Sequence, residues 1–300
     1  MTDKTTKTPG RVKLSCRLKT VVDMCGSGIR TLADVGCDHG WLGISLALEG
    51  RADKVLGMDL REGPLSHARS NAAQNGLSCE RFETRLSDGL DALKPGEADV
   101  IVIAGIGGVL MCRLITRGLE VAKKATRLVL SPQSHIESVR ELLTAESFLI
   151  MDERMCRESG KYYTVMCVVH SSNVGKSGGS VTDPDEGGSL LPETGKNAYE
   201  LSDEELFFGP VLIKKGDLLL FEYAREMRDK AKKRLLEINM KSGRPGGGAS
   251  ASGEDDSAGI PTRVLDARPG IEPGAAHEEG YDPAEYFERM LASAGRVLNR

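Results

Sequence analysis

Aromatic residues are scarce: one Trp, six Tyr and six Phe make up 4% of the 300 residues. A protein that holds single strands of nucleic acid by stacking needs aromatic platforms at several points, so any nucleic-acid contact here has to rest on charge. Long apolar runs are missing as well. No stretch reaches the ~18 residues a membrane helix needs, and the polar start MTDKTTKTPGRVK lacks the apolar middle of a secretory signal; no membrane association and a cytoplasmic location are expected. Paired cysteines are the third absence. The seven cysteines (16, 25, 37, 79, 112, 156, 167) are odd in number and contain no CxxC, which predicts free thiols in a reducing compartment, with no zinc or other metal site and no disulfide framework.

The remainder is an ordinary globular composition, 40% hydrophobic and 28% charged, long enough for one large domain with an appendage. The formal net charge of −4 conceals an uneven distribution. Residues 1–30 carry +5 and 209–241 carry +4, whereas 171–205 carry −6 and 242–300 carry −4. The ends of the folded part are basic, and the intervening tracts make the chain acidic.

Between Arg30 and His170 short β-branched runs alternate with helical ones, the pattern of parallel strands joined by crossover helices. Strands are predicted at 31–36, 54–60, 80–85, 99–105 and 127–132, then a hairpin over 148–170 turning at Ser159–Gly160. Helices are predicted at 16–24, 41–49, 64–75, 109–117 and 137–145. An α/β, doubly wound, Rossmann-like sheet that ends in an antiparallel hairpin suggests the methyltransferase variant of this fold. Residues 1–170 form the expected catalytic domain. The tract 171–200 has too few large apolar residues to fold alone and is predicted to be a flexible loop. Residues 201–300 are predicted to form a helical-hairpin appendage. Its helices at 217–238 and 282–299 repeat apolar residues at three- and four-residue steps, and a Gly-rich insertion at 242–280, with nine Gly and four Pro, separates them.

The first strand-to-helix turn reads Asp34-Val-Gly36-Cys-Asp38-His-Gly40. A dinucleotide fingerprint wants glycine at position 38, where a pyrophosphate meets the helix N-terminus; a carboxylate there repels phosphate. S-adenosylmethionine has no phosphate and carries a sulfonium and an amine, which Asp34 or Asp38 can favour, while Gly36 and Gly40 let the backbone approach closely. A tight turn with no ligand would use the same residues. The second strand ends at Asp59, where an acid commonly accepts the ribose hydroxyls of an adenosine ligand. Asp88, followed by Gly89, lies after the third strand, where an adenine amine needs an acceptor. Three acids after three successive strands would meet at the carboxyl edge of the sheet, where open α/β folds bind ligands. The fourth strand runs into Gly105-Ile-Gly107-Gly108, a loop expected to face the methyl group. The Asn/Asp-Pro-Pro-aromatic motif of many amine methylases is absent from it. After the fifth strand, Pro132 would fix a loop from which Gln133 could read a base edge.

These blocks resemble the bacterial tRNA (adenine-22-N1)-methyltransferases. The likeness lies in ADVGCDHGWL (33–42), GMDLREGPLSHA (57–68), SDGLDAL (87–93), IAGIGGVLM (103–111), LSPQSHIESVRELL (130–143), ESGKYYTVMCVV (158–169) and FFGPVLIKKGD (207–217), and covers most of 14–240. The resemblance implies an S-adenosylmethionine cleft around Gly36, Asp38, Asp59 and Asp88. It also implies that Gly105–Gly108 and Pro132–Gln133 sit beside the target base, and that a C-terminal helical pair helps grip tRNA. The two acidic or Gly-rich insertions depart from the pattern without touching the cofactor residues.

Phosphate contacts dominate affinity for RNA, so Arg11, Lys13, Arg17 and Lys19 near the first helix, and Lys232, Lys233 and Arg234 in the appendage, are the expected tRNA contacts. Tyr162 and Tyr163 alternate faces, so one should be buried; Tyr163 is the candidate to stack on a base. The expected reaction is direct transfer of a methyl group to N1 of adenine after the base is unstacked. Asp38 either stabilises charge developing on the base or binds the cofactor amine alone. A methyltransferase acting on a small molecule or protein, and a non-catalytic RNA-binding module, are the competing readings.

Overall fold

The computed structural model describes residues 12–175, 200–242 and 283–300. Two compact units divide the chain, Met1–Tyr223 and Ala224–Arg300.

In the first unit the strands are β1 (Ile29–Val35), β2 (Ala52–Asp59), β3 (Phe82–Leu86), β4 (Val100–Ala104), β5 (Arg127–Ser131), β6 (Phe148–Glu158) and β7 (Lys161–His170). They form one sheet in the order β3-β2-β1-β4-β5-β7-β6. Strands β1 to β5 pair in parallel, and β7 enters antiparallel between β5 and β6, as the terminal hairpin suggested. Ser159 and Gly160, at φ 49° and 77°, make the two-residue turn of that hairpin, whose left-handed backbone matches the twist of its strands.

The strands read as nearly unbroken aliphatic runs because both faces are covered. Alternate residues of β4 enter opposite cores: Val100 and Val102 join Leu32, Val55 and Phe82, while Ile101 and Ile103 join Leu56, Leu128 and Phe148. The crossover helices are α2 (Trp41–Leu48), α3 (Glu62–Gln74), α4 (Gly108–Arg117), α5 (Leu119–Lys124) and α6 (Ile136–Ala145), preceded by α1 (Cys16–Cys25). Ser15 caps α1, its hydroxyl accepting from the Leu18 N–H, and the helix packs on β6 and β7.

The expected boundary at residue 201 gives way to one inside a later helix. Two short helices, α7 (Asp203–Phe208) and α8 (Pro210–Lys215), bury Phe207, Phe208, Val211 and Leu212 in the first unit. A fully buried ion pair holds them. Arg140 of α6 donates to Glu153 of β6 at 2.9 Å and to the Leu206 carbonyl at 2.5 Å, and Glu153 accepts the N–H groups of Val211 and Leu212 that open α8. Gly209 has φ +89°, and a Cβ there would lie 2.4 Å from a Glu153 oxygen, so the junction demands glycine.

Helix α9 (Leu218–Ser242) begins in the first unit and continues into the second, which also contains α10 (Pro283–Leu298). Leu220, Ala224 and Ala231 on α9, and Met290, Ala294 and Val297 on α10, are buried at helical spacing. Most of the expected loop at 171–200 and nearly all of the insertion at 242–280 lie outside the described residues, as does Arg11. None of the described helices is long and apolar enough to cross a membrane. Cys25, Cys37, Cys156 and Cys167 are buried, Cys112 is half-buried and Cys16 and Cys79 are exposed. Burial pushes the Cys167 thiol up to about 11 and that of Cys112 to about 12.

Candidate functional site

The carboxyl edge of the sheet is stitched by backbone hydrogen bonds that run from strand tip to strand tip. The Gly36 and Cys37 N–H groups donate to the Met58 carbonyl at 2.8 and 2.9 Å, and the Ser87 N–H donates to the Asp59 carbonyl at 2.9 Å. The turns that follow β1, β2 and β3 are thereby neighbours, as parallel register requires, and the acids they carry share one edge.

Asp34 is the most unusual of these acids. Its side chain lies in the interior, 5% exposed, where one carboxylate oxygen, Oδ2, has no hydrogen-bond partner among the described residues. Burial raises its pKa from 3.8 to about 7, the Gly43 amide opposes the shift and the charge of Asp59 adds to it. A buried carboxylate oxygen without a donor is costly unless a ligand supplies one. Gly36, at φ +75°, has open space where a Cβ would project, so its backbone is uncovered at the turn that follows β1. Gly40 is glycine for another reason: a Cβ would sit 2.8 Å from the Phe82 ring and 3.0 Å from Ala68.

Asp38 stands at the rim, exposed and at φ 49°, a backbone region that costs energy for any residue but glycine. Its carboxylate is 3.8 Å from His39 Nε2. Asp59 keeps an 11% exposed side chain at the tip of β2, where Oδ1 accepts from the Arg61 N–H at 3.0 Å. Asp88 is held by Arg117, which donates to its carboxylate at 2.9 Å and also to its carbonyl; the Arg117 hydrogen bond lowers the Asp88 pKa. Gly89, at φ +61°, packs against Leu114, which a Cβ would meet at 2.6 Å.

On the other side of β1, the loops after β4 and β5 are zipped together. Gln133 N–H donates to Ile106 O, and Gly108 N–H to Ser134 O, each at 2.9 Å. A Cβ on Gly108 would lie 2.4 Å from both the Ser134 and His135 carbonyls, and one on Gly107 3.2 Å from the Ser134 hydroxyl. Gly105, at φ +83°, donates to Ser131 O at 3.1 Å. Pro132 is buried and Gln133 exposed, so the proline anchors the turn and the amide projects from it.

Several features were not legible in the residue pattern. Leu60 and Leu86, 64% and 59% exposed, flank Asp59 and the turn that carries Asp88, and give the acidic edge an apolar border. His39 and His67 stack with ring centroids 5.3 Å apart, a pairing that sequence separation hides. Trp41, the first residue of α2, is 37% exposed. Tyr162 and Tyr163 do not divide into one buried and one exposed ring. Both are half-buried, Tyr162 beneath Arg157 and against Tyr223, and Tyr163 beneath the guanidinium of Arg17.

The expected RNA contacts fall in both units. Lys13 and Lys19 are exposed, Lys19 in an ion pair with Asp23. Lys232, Lys233 and Arg234 are exposed on α9, Arg234 bridged to Glu237. Arg17 points inward instead. Among the described residues no group of three His, Cys, Asp or Glu side chains could hold a metal ion.

The chain is an α/β protein with a doubly wound sheet, an inserted antiparallel strand and an acid after each of its first three strands, at the carboxyl edge where open α/β folds bind ligands. Residues 14–166 match the family described as methyltransferase domain, and the chain belongs to it. A curated relative, the tRNA (adenine(22)-N(1))-methyltransferase of Bacillus subtilis, is 35% identical over 155 residues, which cover 52% of this chain and 64% of that protein. The chain therefore spans just under two thirds of that relative's length. The crystal structure of the B. subtilis m1A22 tRNA methyltransferase superposes with a TM-score of 0.67 at 22% identity, covering 96% of this chain and 99% of that one. An M. capricolum relative in complex with S-adenosylhomocysteine gives 0.64 at 17% identity, covering 95% and 98%. At these identities the structural likeness is one of fold.

Proposed function

We propose that this protein is a cytoplasmic tRNA methyltransferase that transfers the methyl group of S-adenosylmethionine to N1 of an adenine, at the position corresponding to adenine 22. The observation that carries the reading is the orphaned, buried oxygen of Asp34 on β1, with the Gly36 turn and the Asp59 and Asp88 tips along the same sheet edge. A buried carboxyl group whose ionisation is suppressed by burial is restored to its charged form by a cationic, phosphate-free nucleoside, and a dinucleotide's phosphates would oppose that. The curated B. subtilis relative bears the name of this activity, and supports the choice of substrate.

In this reading Asp34 and Asp38 face the amine and sulfonium end of the ligand, and Gly36 and Gly40 form the turn that lets it approach. Asp59 accepts the ribose hydroxyls. Asp88, kept ionised and oriented by Arg117, accepts the adenine amine, with Gly89 shaping its turn and Leu60 and Leu86 against the purine faces. When bound, S-adenosylmethionine supplies an electrophilic methyl group on a sulfonium. The ring nitrogen N1 brings its own lone pair, so the protein has no proton to remove before transfer. Its task is orientation. The zipped loops Gly105–Gly108 and Pro132–Gln133 form a rigid, backbone-rich wall on which an unstacked adenine can lie, with Gln133 free to read its edge. Lys13, Lys19, Lys232 and Lys233 supply exposed charge for phosphates.

Incubation of the full chain with labelled S-adenosylmethionine and unmodified tRNA, then nucleoside digestion, tests the reading. Labelled 1-methyladenosine supports it. Label in protein or small molecules, with none in tRNA, would replace the substrate, and absence of saturable S-adenosylmethionine binding by calorimetry would remove the enzymatic reading altogether.

A further inference from the structure

The basic residues around α1 looked alike in sequence, as a charged helix face. In the structure one of them behaves differently. The Arg17 backbone N–H is fixed by Glu158 Oε2 at 2.9 Å, and its side chain turns inward so that the guanidinium lies 5.4 Å from the centroid of the Tyr163 ring. Its Nη1 is buried and has no hydrogen-bond partner among the described residues. That nitrogen lies against Gly105: a Cβ on the glycine would come within 2.9 Å of it. A second orphan flanks the same glycine. Ser131, whose carbonyl receives the Gly105 N–H, is fully buried and its hydroxyl is likewise without a partner.

A guanidinium N–H is a donor with no alternative chemistry. Leaving it dry and unpaired costs stability that a ligand acceptor would restore. Gly105 is the first residue beyond β4, the neighbour of the strand that carries Asp34. The orphan nitrogen is therefore at the tips of β4 and β5, beside the loops that line the methyl-acceptor side of the site, and not on the outer surface where a phosphate track would pass. The Glu158 contact fixes the backbone of Arg17, and the Tyr163 ring holds its guanidinium before any ligand arrives.

We propose that Arg17 is a positioning residue of the acceptor site, donating Nη1–H to a hydrogen-bond acceptor of the nucleotide that is methylated. Two acceptors share this chemistry, a ring nitrogen of the base other than N1 and an oxygen of the nucleotide's phosphate. Tyr163 is then the platform of Arg17 and not a stacking partner for RNA. The inference rests on the tRNA methylation proposed above.

The test compares the full-length wild type with Arg17→Ala and Arg17→Lys in steady-state methylation of unmodified tRNA at several salt concentrations, with S-adenosylmethionine affinity and melting temperature measured alongside. For Arg17→Ala, kcat/KM should fall about 10- to 100-fold, as for loss of a hydrogen bond from a charged donor, with cofactor affinity within twofold of wild type. A fall in kcat at unchanged salt dependence identifies the base. A rise in KM with a salt slope smaller by about 0.7–0.9 identifies the phosphate. Arg17→Lys keeps the charge and loses the planar fork, so it should recover part of the loss; should the alanine variant melt early, the lysine variant decides alone. Unchanged kcat and KM in an active background overturn the proposal, as does a loss confined to stability or cofactor affinity. A wild type that leaves tRNA unmethylated defeats the proposed function itself, which is a separate outcome.

Discussion

Asp34 is a residue whose place in the chain is legible in sequence and whose burial is not. Its position at the end of a strand, two residues before Gly36, was readable; that one oxygen would be left without a donor was not, because it depends on where the backbone of α2 falls. The raised pKa has a definite sign. The folded form holds a proton up to about pH 7 that the unfolded chain loses near 3.8, so the folded state loses stability through this group as pH rises across that interval. Asp34→Asn should therefore lose less melting temperature than the wild type between pH 5 and pH 8, and calorimetric titration should show weaker S-adenosylmethionine binding. An equal pH response in both proteins would refute the assignment. In the proposed reading Asp59→Ala removes the acceptor for the ribose hydroxyls. Hydrogen bonds to a charged group contribute about 1.5–3 kcal/mol each, so the dissociation constant for S-adenosylmethionine should rise at least about tenfold. Arg17 marks the opposite limit of sequence reasoning: a basic residue at the start of an amphipathic helix looks solvated, and only packing of α1 against the terminal hairpin turns it inward.

Among the elements, the strands were legible because β-branched and aliphatic runs bounded by Gly, Pro and Asn leave few alternatives. The hairpin turn at Ser159–Gly160 was readable from two residues. Helices α7 and α8 were not, since six-residue helices carry little periodicity and their docking depends on Arg140 and Glu153, 13 residues apart and both far from residue 209 in sequence. Removing one partner of a fully buried pair leaves the other uncompensated and costs about 3–5 kcal/mol. Glu153→Ala should lower the melting temperature by several degrees and make the segment around α7 and α8 the earliest site of proteolysis. Gly209→Ala should act the same way through crowding of the same carboxylate. At the acceptor wall, Gly108→Ala would force a Cβ against two carbonyls. That change should separate the loops after β4 and β5, lowering methylation rate more than cofactor affinity, as read by single-turnover kinetics against calorimetry.

For the molecule as a whole, the net charge of −4 averages basic and acidic tracts, and in the proposed reading the exposed lysines of α9 meet the tRNA. Lys233→Glu should weaken tRNA binding and reduce its salt dependence while leaving S-adenosylmethionine binding intact; a parallel loss of both would contradict the division of labour between the two units. The change in composition after His170 set the expected boundary at residue 201, because the low-complexity tract looked like the natural break, whereas the compact units divide after Tyr223. The apolar residues of 207–212 pull the following chain into the first unit.

The thiol inventory has a practical corollary. Two cysteines, 16 and 79, meet solvent, while 25, 37, 156 and 167 are walled off and burial further suppresses thiolate formation at 25, 37 and 167. A maleimide pulse followed by mass spectrometry would therefore score the folded protein at about two rapid adducts, and each additional adduct would date the opening of the layer that had shielded it. The chain carries an internal clock for its own unfolding, and a bound ligand that tightens the turn at Cys37 would slow that hand first.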